Sequence, residues 1–316
     1  MSAAPQRILL LQLQHLGDVL LTTPAIRAAR AAFPDATIDF VTGMLGAQAI
    51  QDNPHLDNVL LPAMWRVLGK RYDVAVDMHS VPRSARMVAA SRARVRIGLR
   101  GRGPRNLAYT QLLPREKESV YMARQKLRLL APLGVDADRA DLRLEITIRE
   151  EQRAWAAQAM QQHGLGSAPV VAISPVSKHE FKQWGVHNWA RVGDALADAG
   201  ALILITSGPG EEEKAEAVAR AMHHESVWRY GQTTVRQLAA LYQRCALWVG
   251  NDGGPKHIAT AAGTPTVTVY RRNLGGVWSD PQDAHQIAIN SHEEGLHSIR
   301  PEQVIEPALE LLRKRT

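Results

Sequence analysis

The sequence predicts an α/β protein of two domains, each built on a parallel sheet, and two observations lead to that prediction. Short apolar runs bounded by turn residues alternate with helical stretches along the chain, a pattern typical of βαβ units. Two of these runs share one design, in which an apolar strand enters a helix through a turn rich in glycine and aspartate. The two turns, at 14–18 and 250–257, lie roughly 230 residues apart. We therefore expect one in each domain, facing each other across a cleft.

In the first half, the predicted strands are short and apolar, as strands buried in a parallel sheet usually are. An Ala/Arg-rich helix that ends near Ala32 follows the first strand, and the Phe33-Pro34-Asp35 turn comes after it. Residues 144–162 predict a further strand followed by a charged helix. The other predicted strands of this half are 8–13, 37–42, 59–61 and 74–77.

The segment 164–169, Gly-Leu-Gly-Ser-Ala-Pro, interrupts every pattern and marks a domain boundary. We predict a first domain at 1–163, a second domain at 164–300 and a C-terminal amphipathic helix at 301–316 that packs back on the first domain. The predicted elements of the second half are strands at 170–174, 202–206, 246–249 and 266–270, and helices at 188–199, at 211–223 and from Gly254.

Composition narrows the partners and the compartment. The 316 residues carry a net charge of +7, which favours nucleic acid, phosphorylated sugars or an acidic membrane surface as partner. The one cysteine, Cys245, excludes an intrachain disulfide and lies in an apolar run, so we expect a buried core thiol. No apolar stretch reaches the ~18–20 residues of a membrane span, and the N-terminus lacks a signal-peptide pattern. We expect a cytoplasmic protein that touches the membrane from that side.

The first turn places Asp18 after Gly17, where a strand enters a helix. A carboxylate there has two interpretations. It stabilises the positive end of the helix dipole by about 0.3–1 kcal/mol, or it accepts a proton from an attacking hydroxyl. The spacing alone leaves both open.

The second turn carries more glycine and charge than a helix cap needs. Consecutive glycines let a ligand approach the backbone, and the free N–H groups of the helix can hold a phosphate. Asp252, Gly253 and Gly254 are therefore candidate ligand-binding residues, while His257 fits either a ligand or a core histidine. Lys178 and Lys182 flank a loop after another strand, where they are either solvated charges or contacts to a diphosphate.

A stretch of the first domain is strongly basic. It contains no acidic residue, and guanidinium groups match phosphate and carboxylate in a bidentate manner, so an anionic partner is indicated. Aromatic residues are not interleaved there, which argues against single-stranded nucleic acid. The eight arginines are at positions 83, 86, 92, 94, 96, 100, 102 and 105.

These segments together resemble glycosyltransferase family 9, the ADP-heptose:lipopolysaccharide heptosyltransferases. Each segment alone is weak evidence, but the ordered set is specific and spans most of the chain. The similar segments are 16–28, 181–184 with Trp189, 250–257 and 263–266.

The resemblance implies a GT-B fold of two Rossmann-like domains, with the acceptor bound by the first and a nucleotide sugar bound by the second. It also implies inverting transfer with no required metal and no cofactor besides the donor substrate. Asp18 matches the proposed general base of the family. Lys182 matches the lysine that neutralises the departing diphosphate, a task that other enzymes give to a metal ion.

The resemblance also assigns substrate contacts. Ser177 and the turn 252–254 match donor-binding positions, and Glu211 matches a ribose-binding glutamate. The basic stretch falls where the family contacts its anionic acceptor, the phosphate- and Kdo-bearing inner core, and we expect Arg83, Arg86 and Arg105 to do so here.

Five departures from the family pattern are visible. The family usually has a basic residue at Gln12, Ser or Thr at Gly253, glycine at Val176 and an apolar residue at Lys256. After the strand at 266–270 it tends to have Phe-Gly-Pro, where this chain has Tyr-Arg-Arg. Most departures fall on the donor side, whereas Asp18 and Lys182 are retained.

The leading interpretation is a heptosyltransferase that acts on lipopolysaccharide core or a related surface glycan at the inner membrane. Its partners would be a nucleotide-sugar donor and an anionic glycolipid, with no nucleic acid. Alternatives within enzymes are a protein-modifying heptosyltransferase and a GT-B nucleotide-sugar epimerase, which would convert its donor without an acceptor. A basic nucleic-acid-binding protein is the alternative outside enzymes, and it leaves the turn at 250–257 unexplained.

Overall fold

The structure of the protein, a computed structural model, describes residues 4–116, 120–224, 227–230 and 233–314. The chain divides into two compact units, Met1–Thr147 and Ile148–Thr316. Each contains a six-stranded sheet whose strand pairs are all parallel. The predicted α/β class with two doubly wound sheets is therefore confirmed.

The first unit forms a sheet of strand order β3-β2-β1-β4-β5-β6. Its central strand β1 is buried along almost its whole length, because helices cover both faces of a doubly wound sheet. The strands are β1 (Arg7–Leu11), β2 (Thr37–Val41), β3 (Asn58–Leu60), β4 (Val74–Asp77), β5 (Val95–Leu99) and β6 (Gln111–Leu113). The helices are α1 (Leu16–Leu20), α2 (Thr23–Ala32), α3 (Met44–Ile50), α4 (Met64–Val67), α5 (Pro82–Ala90) and α6 (Met122–Arg128).

The second unit repeats this arrangement with the order β12-β11-β10-β7-β8-β9. The strands are β7 (Val170–Ser174), β8 (Leu202–Thr206), β9 (Val227–Tyr230), β10 (Leu247–Asn251), β11 (Thr266–Tyr270) and β12 (Gln286–Asn290). The helices are α7 (Glu150–Gln162), α8 (Val186–Asp198), α9 (Glu212–Ala221), α10 (Val235–Gln243), α11 (Gly254–Ala261), α12 (Gly275–Trp278) and α13 (Glu302–Arg313).

The unit boundary differs from the predicted position at 163/164. Helix α7 packs against α10 and belongs to the second unit, which moves the division to 147/148. The C-terminal helix α13 packs against α8 and the strands β10, β11 and β12 of the second unit. The sequence could not decide this, because an amphipathic stripe shows that a helix has a partner without showing which one.

Two local predictions in the first unit were wrong. The single helix predicted after β1 is two helices, because Pro24 has no N–H to donate to the preceding turn and its ring crowds the carbonyl there. The strand predicted from residue 144 is not formed. Side chains of α2 hold this segment instead: Thr23 Oγ1 accepts from Glu145 N at 3.1 Å, and Arg27 Nη2 donates to Arg143 O at 3.1 Å.

The other predicted strands are formed and the core agrees with the prediction, but strands β5, β6, β9 and β12 were not predicted. Cys245 is buried, its Sγ lies 3.3 Å from Leu241 O, and burial raises the pKa of its thiol to about 12, so it is an inert core residue as expected. No helix in the described ranges is long and apolar enough to cross a membrane.

Candidate active site

Each sheet has one point where the strand order reverses, and ligands of open α/β sheets bind there, outside the carboxyl ends of the strands. In the first unit the reversal lies between β1 and β4, and in the second unit it lies between β7 and β10. Most of the residues that the sequence singled out follow these strands.

Asp18 follows β1 and lies in the short helix α1. The loop before it turns sharply at His15, whose φ of 63° is in the left-handed region. The Asp18 side chain is 19% exposed, and its Oδ1 lies 3.5 Å from Nζ of Lys126. A largely enclosed carboxylate with a cationic partner and a solvent-facing part is suited to accept a proton from a bound hydroxyl.

Lys126 is the residue of this site that the sequence prediction missed. It extends from α6, is 7% exposed as a residue, and donates to Gln12 Oε1 at 2.8 Å and to Met78 O at 2.6 Å. A signal was present, because Lys126 belongs to the apolar stripe formed by Ala123, Leu127 and Leu130. A lysine on the core face of a helix needs a partner for its charge.

The end of β4 lies next to the pair of Asp18 and Lys126, since Met78 O, directly after β4, accepts from Lys126. Asp77 is fully buried and accepts hydrogen bonds from Tyr109 OH at 2.6 Å and from Ser80 N at 2.7 Å. Burial raises the pKa of the Asp77 carboxyl, and these donors oppose that effect. Burial also lowers the pKa of His79, and the charge of Lys126 lowers it further. Asp77 is thus committed to the scaffold, which leaves Asp18 as the accessible carboxylate beside Lys126.

The structure separates the basic stretch into two groups. Arg83 and Arg86 are exposed on α5, which follows β4, and Arg105 lies in the turn that follows β5, so all three are near the carboxyl edge that carries Asp18. In contrast, Arg94 precedes β5 and pairs with Asp73 at 3.2 Å, while Arg96 donates to Ala108 O at 2.7 Å. The stretch is therefore partly structural.

Arg105 has a further feature of a binding residue. Its guanidinium lies against Gly101, where an added Cβ would be 1.8 Å from Nη2, so only glycine leaves room for it. Its Nε is buried and has no hydrogen-bond partner within the described residues. A buried donor without a partner is costly, so the Nε of Arg105, unlike that of Arg96, does not stabilise the fold through a hydrogen bond within the described residues.

At the reversal point of the second unit, Lys182 and Asp252 form an ion pair. Lys182 ends a 3-10 turn that follows β7, Asp252 follows β10, and Nζ lies 2.6 Å from Oδ2. The Lys182 side chain remains 25% exposed. The turn is held in place by Trp184, which stacks edge-on against Trp189 at 4.9 Å and donates to Ile299 O at 3.1 Å. Two residues selected separately from the sequence thus meet in space.

Gly253 and Gly254 open helix α11 beside this pair. Gly253 has an extended φ of 174°, and an added Cβ would meet only Pro255 Cδ at 3.6 Å. The space beside this helix start is therefore open, and the conformation does not require glycine. That agrees with the Ser or Thr that the resemblance places here. The free N–H groups of the first turn of α11 are available to an anion.

The other predicted donor contacts are spread more widely. Glu211 precedes α9, and its Oε2 accepts from Gly208 N at 3.0 Å. Ser177 is half-buried in the loop after β7, and Lys178 is exposed there. The structure does not bring His257 to the surface: it is buried, its ring packs edge-on to Trp278 at 6.1 Å, and burial holds its pKa well below the usual value.

A stack of side chains beside Lys182 was also missed. The Arg271 guanidinium lies 4.4 Å from the centre of the Phe181 ring, which stacks on His179 at 5.2 Å. Arg271 follows β11, at the point where the family pattern is broken. The departure from the family pattern at Arg271 was the signal in the sequence that could have revealed this stack. Arg271 adds another cation at the carboxyl edge of the second sheet.

Comparisons with known proteins agree with this geometry. The model of Glycosyltransferase family 9 (heptosyltransferase) matches residues 62–308. The chain is 25% identical to lipopolysaccharide heptosyltransferase 3 of Escherichia coli strain K12, over 82% of this chain and 80% of that protein.

Solved structures share the fold over nearly the whole chain. A family 9 glycosyltransferase from Veillonella parvula is 25% identical, with a TM-score of 0.89 and 99% of both chains covered. Heptosyltransferase WaaC of E. coli, solved with ADP-2-deoxy-2-fluoro heptose, is 21% identical, with a TM-score of 0.73 and 96% of this chain and 99% of that chain covered. The two parallel α/β units are those of the GT-B fold, and this chain belongs to glycosyltransferase family 9, the heptosyltransferase family.

Proposed function

We propose that the protein is an inverting heptosyltransferase that moves a heptose from ADP-heptose to lipopolysaccharide core or a related anionic surface glycan. The observation that carries this proposal is the placement of Asp18 and Lys182 at the reversal points of two separate parallel sheets. Relatives named lipopolysaccharide heptosyltransferases and a relative solved with an ADP-heptose analogue support the choice of donor and acceptor.

The first unit would act on the acceptor. Asp18 accepts the proton of an acceptor hydroxyl as its oxygen attacks the anomeric carbon of the donor. The new C–O bond forms on the face opposite the leaving group, so the anomeric configuration inverts. Arg83, Arg86 and Arg105 bind the anionic groups of the acceptor.

The second unit would act on the donor. As the bond between the anomeric carbon and the diphosphate breaks, negative charge develops on the departing oxygen. The Lys182 ammonium and the N–H groups at Gly253 and Gly254 stabilise that charge. Asp252 holds Lys182 in position at 2.6 Å and contacts sugar hydroxyls, while Ser177, Lys178 and Glu211 contribute further donor contacts.

The same cation would take the role that a divalent ion has in other transferases, so we propose transfer without a metal or cofactor. The measurement is transfer in excess EDTA followed by addition of Mg²⁺ or Mn²⁺. We expect a change of less than about twofold in either direction, since the positive charge is part of the chain. A rate that collapses in EDTA and returns with metal would contradict this part of the proposal.

The chemistry is tested with the purified protein, ADP-heptose and a heptose-deficient lipopolysaccharide acceptor. We expect ADP release and a heptosylated glycolipid by mass spectrometry, both dependent on the acceptor. Conversion of the donor without any acceptor would instead indicate an epimerase. Labelling of protein but not glycolipid would indicate a protein-modifying transferase, and salt-sensitive nucleic-acid binding without affinity for the donor would indicate the nucleic-acid alternative.

We also propose that the first unit works at the cytoplasmic face of an anionic membrane. Helices α3 and α4 follow adjacent strands of the first sheet and expose large apolar side chains: Met44 62%, Leu45 59%, Met64 41%, Trp65 69% and Leu68 47%. Arg66 lies 4.6 Å from the Trp65 ring, and no acidic residue occurs between 58 and 72. Aromatic and basic residues together favour a membrane surface with anionic headgroups.

The test is co-sedimentation with vesicles of phosphatidylglycerol and phosphatidylcholine against vesicles of phosphatidylcholine alone. We expect binding to the anionic vesicles only, and a loss of at least about tenfold in the variant Trp65→Ser/Leu68→Ser because two apolar anchors are removed. Leu107→Ser removes a leucine that is more exposed, at 85%, and lies outside α3 and α4, and it serves as the control. Equal losses in both variants would contradict a defined membrane-binding surface.

A further inference from the structure

The carboxylate proposed as general base has a lysine from a distant part of the chain as its ionic partner. Lys126 is separated from Asp18 by more than a hundred residues, yet its Nζ lies 3.5 Å from Asp18 Oδ1. The lysine side chain is 9% exposed, so the charge is shielded from water on most sides. Burying a lysine is unfavourable unless its charge and its donors are satisfied.

Three oxygens of the described residues lie around Nζ. Besides Asp18 Oδ1, the nitrogen donates to Gln12 Oε1 at 2.8 Å and to Met78 O at 2.6 Å. The amide of Gln12 is itself oriented, because its Nε2 donates to Gln14 O at 3.0 Å and leaves Oε1 towards the lysine. An ammonium has three N–H donors, so this set of three acceptors fits the protonated form of Lys126.

We propose that Lys126 is the positioning residue of the general base, fixing the Asp18 carboxylate in place by direct ionic contact. The family usually has a basic residue at position 12, directly after β1. This chain has Gln12 there, and the positive charge comes instead from Lys126 on α6, which donates to the Gln12 amide oxygen. This inference rests on the proposed transfer reaction for its functional meaning, but its physical content concerns Lys126 and Asp18 alone.

The other charged groups around this pair are consistent with that role. His79 interacts electrostatically with both members of the pair, and its ring lies 6.4 Å from that of His15. Burial lowers the pKa of His79, which favours its neutral form. Burial lowers the pKa of Lys126, and the charge of Arg115 lowers it further. The charges of Asp18 and Asp77 raise it. Lys126 is thus the cation in direct contact with the base.

The direct test is a pH titration of the Asp18 carboxyl by ¹³C NMR, with Asp18→Asn used to assign its signal. In Lys126→Met we expect the titration to move to higher pH by at least about one unit, because an opposite charge within about 4 Å is lost. Lys70→Met is the matched control, since it removes a lysine that pairs at 3.1 Å with a different carboxylate, the buried Asp39. It should leave the Asp18 titration unchanged.

A second variant keeps the test valid if Lys126→Met does not fold. Exchanging the two residues, Gln12→Lys with Lys126→Gln, returns an ammonium to the same location because the two side chains already meet at 2.8 Å. We expect this double variant to titrate at Asp18 within about half a unit of wild type. The inference would be overturned if this double variant folds and its Asp18 titration is still displaced by about one unit or more from that of the wild type.

The kinetic readout separates positioning from a merely structural role. If Lys126 acts through Asp18, the acid limb of kcat/KM moves to higher pH in Lys126→Met, so the loss is about tenfold at low pH and shrinks as the pH rises. A structural role would lower kcat/KM equally at every pH, and an unmoved Asp18 titration would refute the inference. Because the titration needs no substrate, a wild type that transfers no heptose would refute only the proposed function.

Discussion

The two reversal points have the same topology and different chemistry. Both lie between the first strand of a three-strand series and the strand that starts a second series in the opposite direction. In the first unit a helix supplies a buried lysine to a carboxylate that stays accessible, whereas in the second unit a carboxylate holds a lysine that stays accessible. One topology can therefore present either a base or a cation, depending on which member of the ion pair is buried.

The two units also differ in the environment of a buried lysine. Lys126 and Lys256 are both buried, one in each unit. The first contacts a carboxylate, whereas Nζ of the second donates to two neutral oxygens, Trp278 O at 2.7 Å and Gln286 Oε1 at 2.8 Å. Burial lowers the pKa of Lys256 to about 7. A buried lysine without a carboxylate in contact loses its charge near neutral pH.

The largest effect is expected at the base. Asp18→Asn keeps the shape of the side chain and removes its ability to accept a proton, so we expect kcat to fall by about 10²–10⁴-fold. Donor binding should be unchanged, as measured by the thermal shift with ADP-heptose. A variant that transfers within about threefold of wild type would show that another group takes the proton.

The next largest effect is expected at the cation. Lys182→Met should lower kcat by about 10²–10³-fold, because the charge that develops on the departing diphosphate loses its partner. The loss should be smaller for a donor with a better leaving group. Lys214→Met is the control, since that lysine is exposed and pairs weakly with Glu180 at 3.9 Å. Equal losses in the two variants would contradict a role in departure of the diphosphate.

A smaller effect is expected on acceptor binding. Arg83→Gln/Arg86→Gln should raise the acceptor KM about tenfold and leave the donor KM unchanged, since these guanidinium groups are near the carboxyl edge of the first sheet. Arg94→Gln is the control, because Arg94 lies before β5, at the opposite edge. If Arg94→Gln raises the acceptor KM as much as Arg83→Gln/Arg86→Gln does, the acceptor is attracted by the net charge of the protein and not by a defined site.

Much of this could be predicted from the sequence. Strands buried on both faces must be apolar, so runs such as 170–174 and 266–270 gave β7 and β11 with their observed bounds. Asp18, Lys182 and Asp252 were selected because each follows a predicted strand of a parallel sheet, and the resemblance to the family implied their roles.

The rest depended on contacts between distant segments. Lys126 reaches Gln12 across more than a hundred residues, and no local spacing encodes that contact. The partner of α13 and the side chains that hold residue 145 in place of a strand are tertiary in the same sense. His257 was ambiguous for a local reason. Its place in the turn at 250–257 predicted a ligand contact, but in the structure its side chain on α11 is buried.

The smallest effect on transfer is expected at Lys256, where the change is in stability. The pKa of Lys256 is about 7 in the folded protein and 10.5 in the reference state. Between these values the unfolded chain binds a proton that the folded protein does not, so the stability of the wild type rises with pH. Lys256→Met lacks this group, and the other titrating groups cancel in the difference between the two proteins.

From pH 7 to pH 9 we expect the free energy of unfolding of the wild type to rise relative to Lys256→Met by about 2 kcal/mol. Urea unfolding of both proteins at the two pH values measures this difference. Parallel pH dependences would show that Lys256 keeps its charge when folded, as the three oxygens around Lys126 indicate for that lysine. In that case contact with a carboxylate would no longer distinguish the two buried lysines.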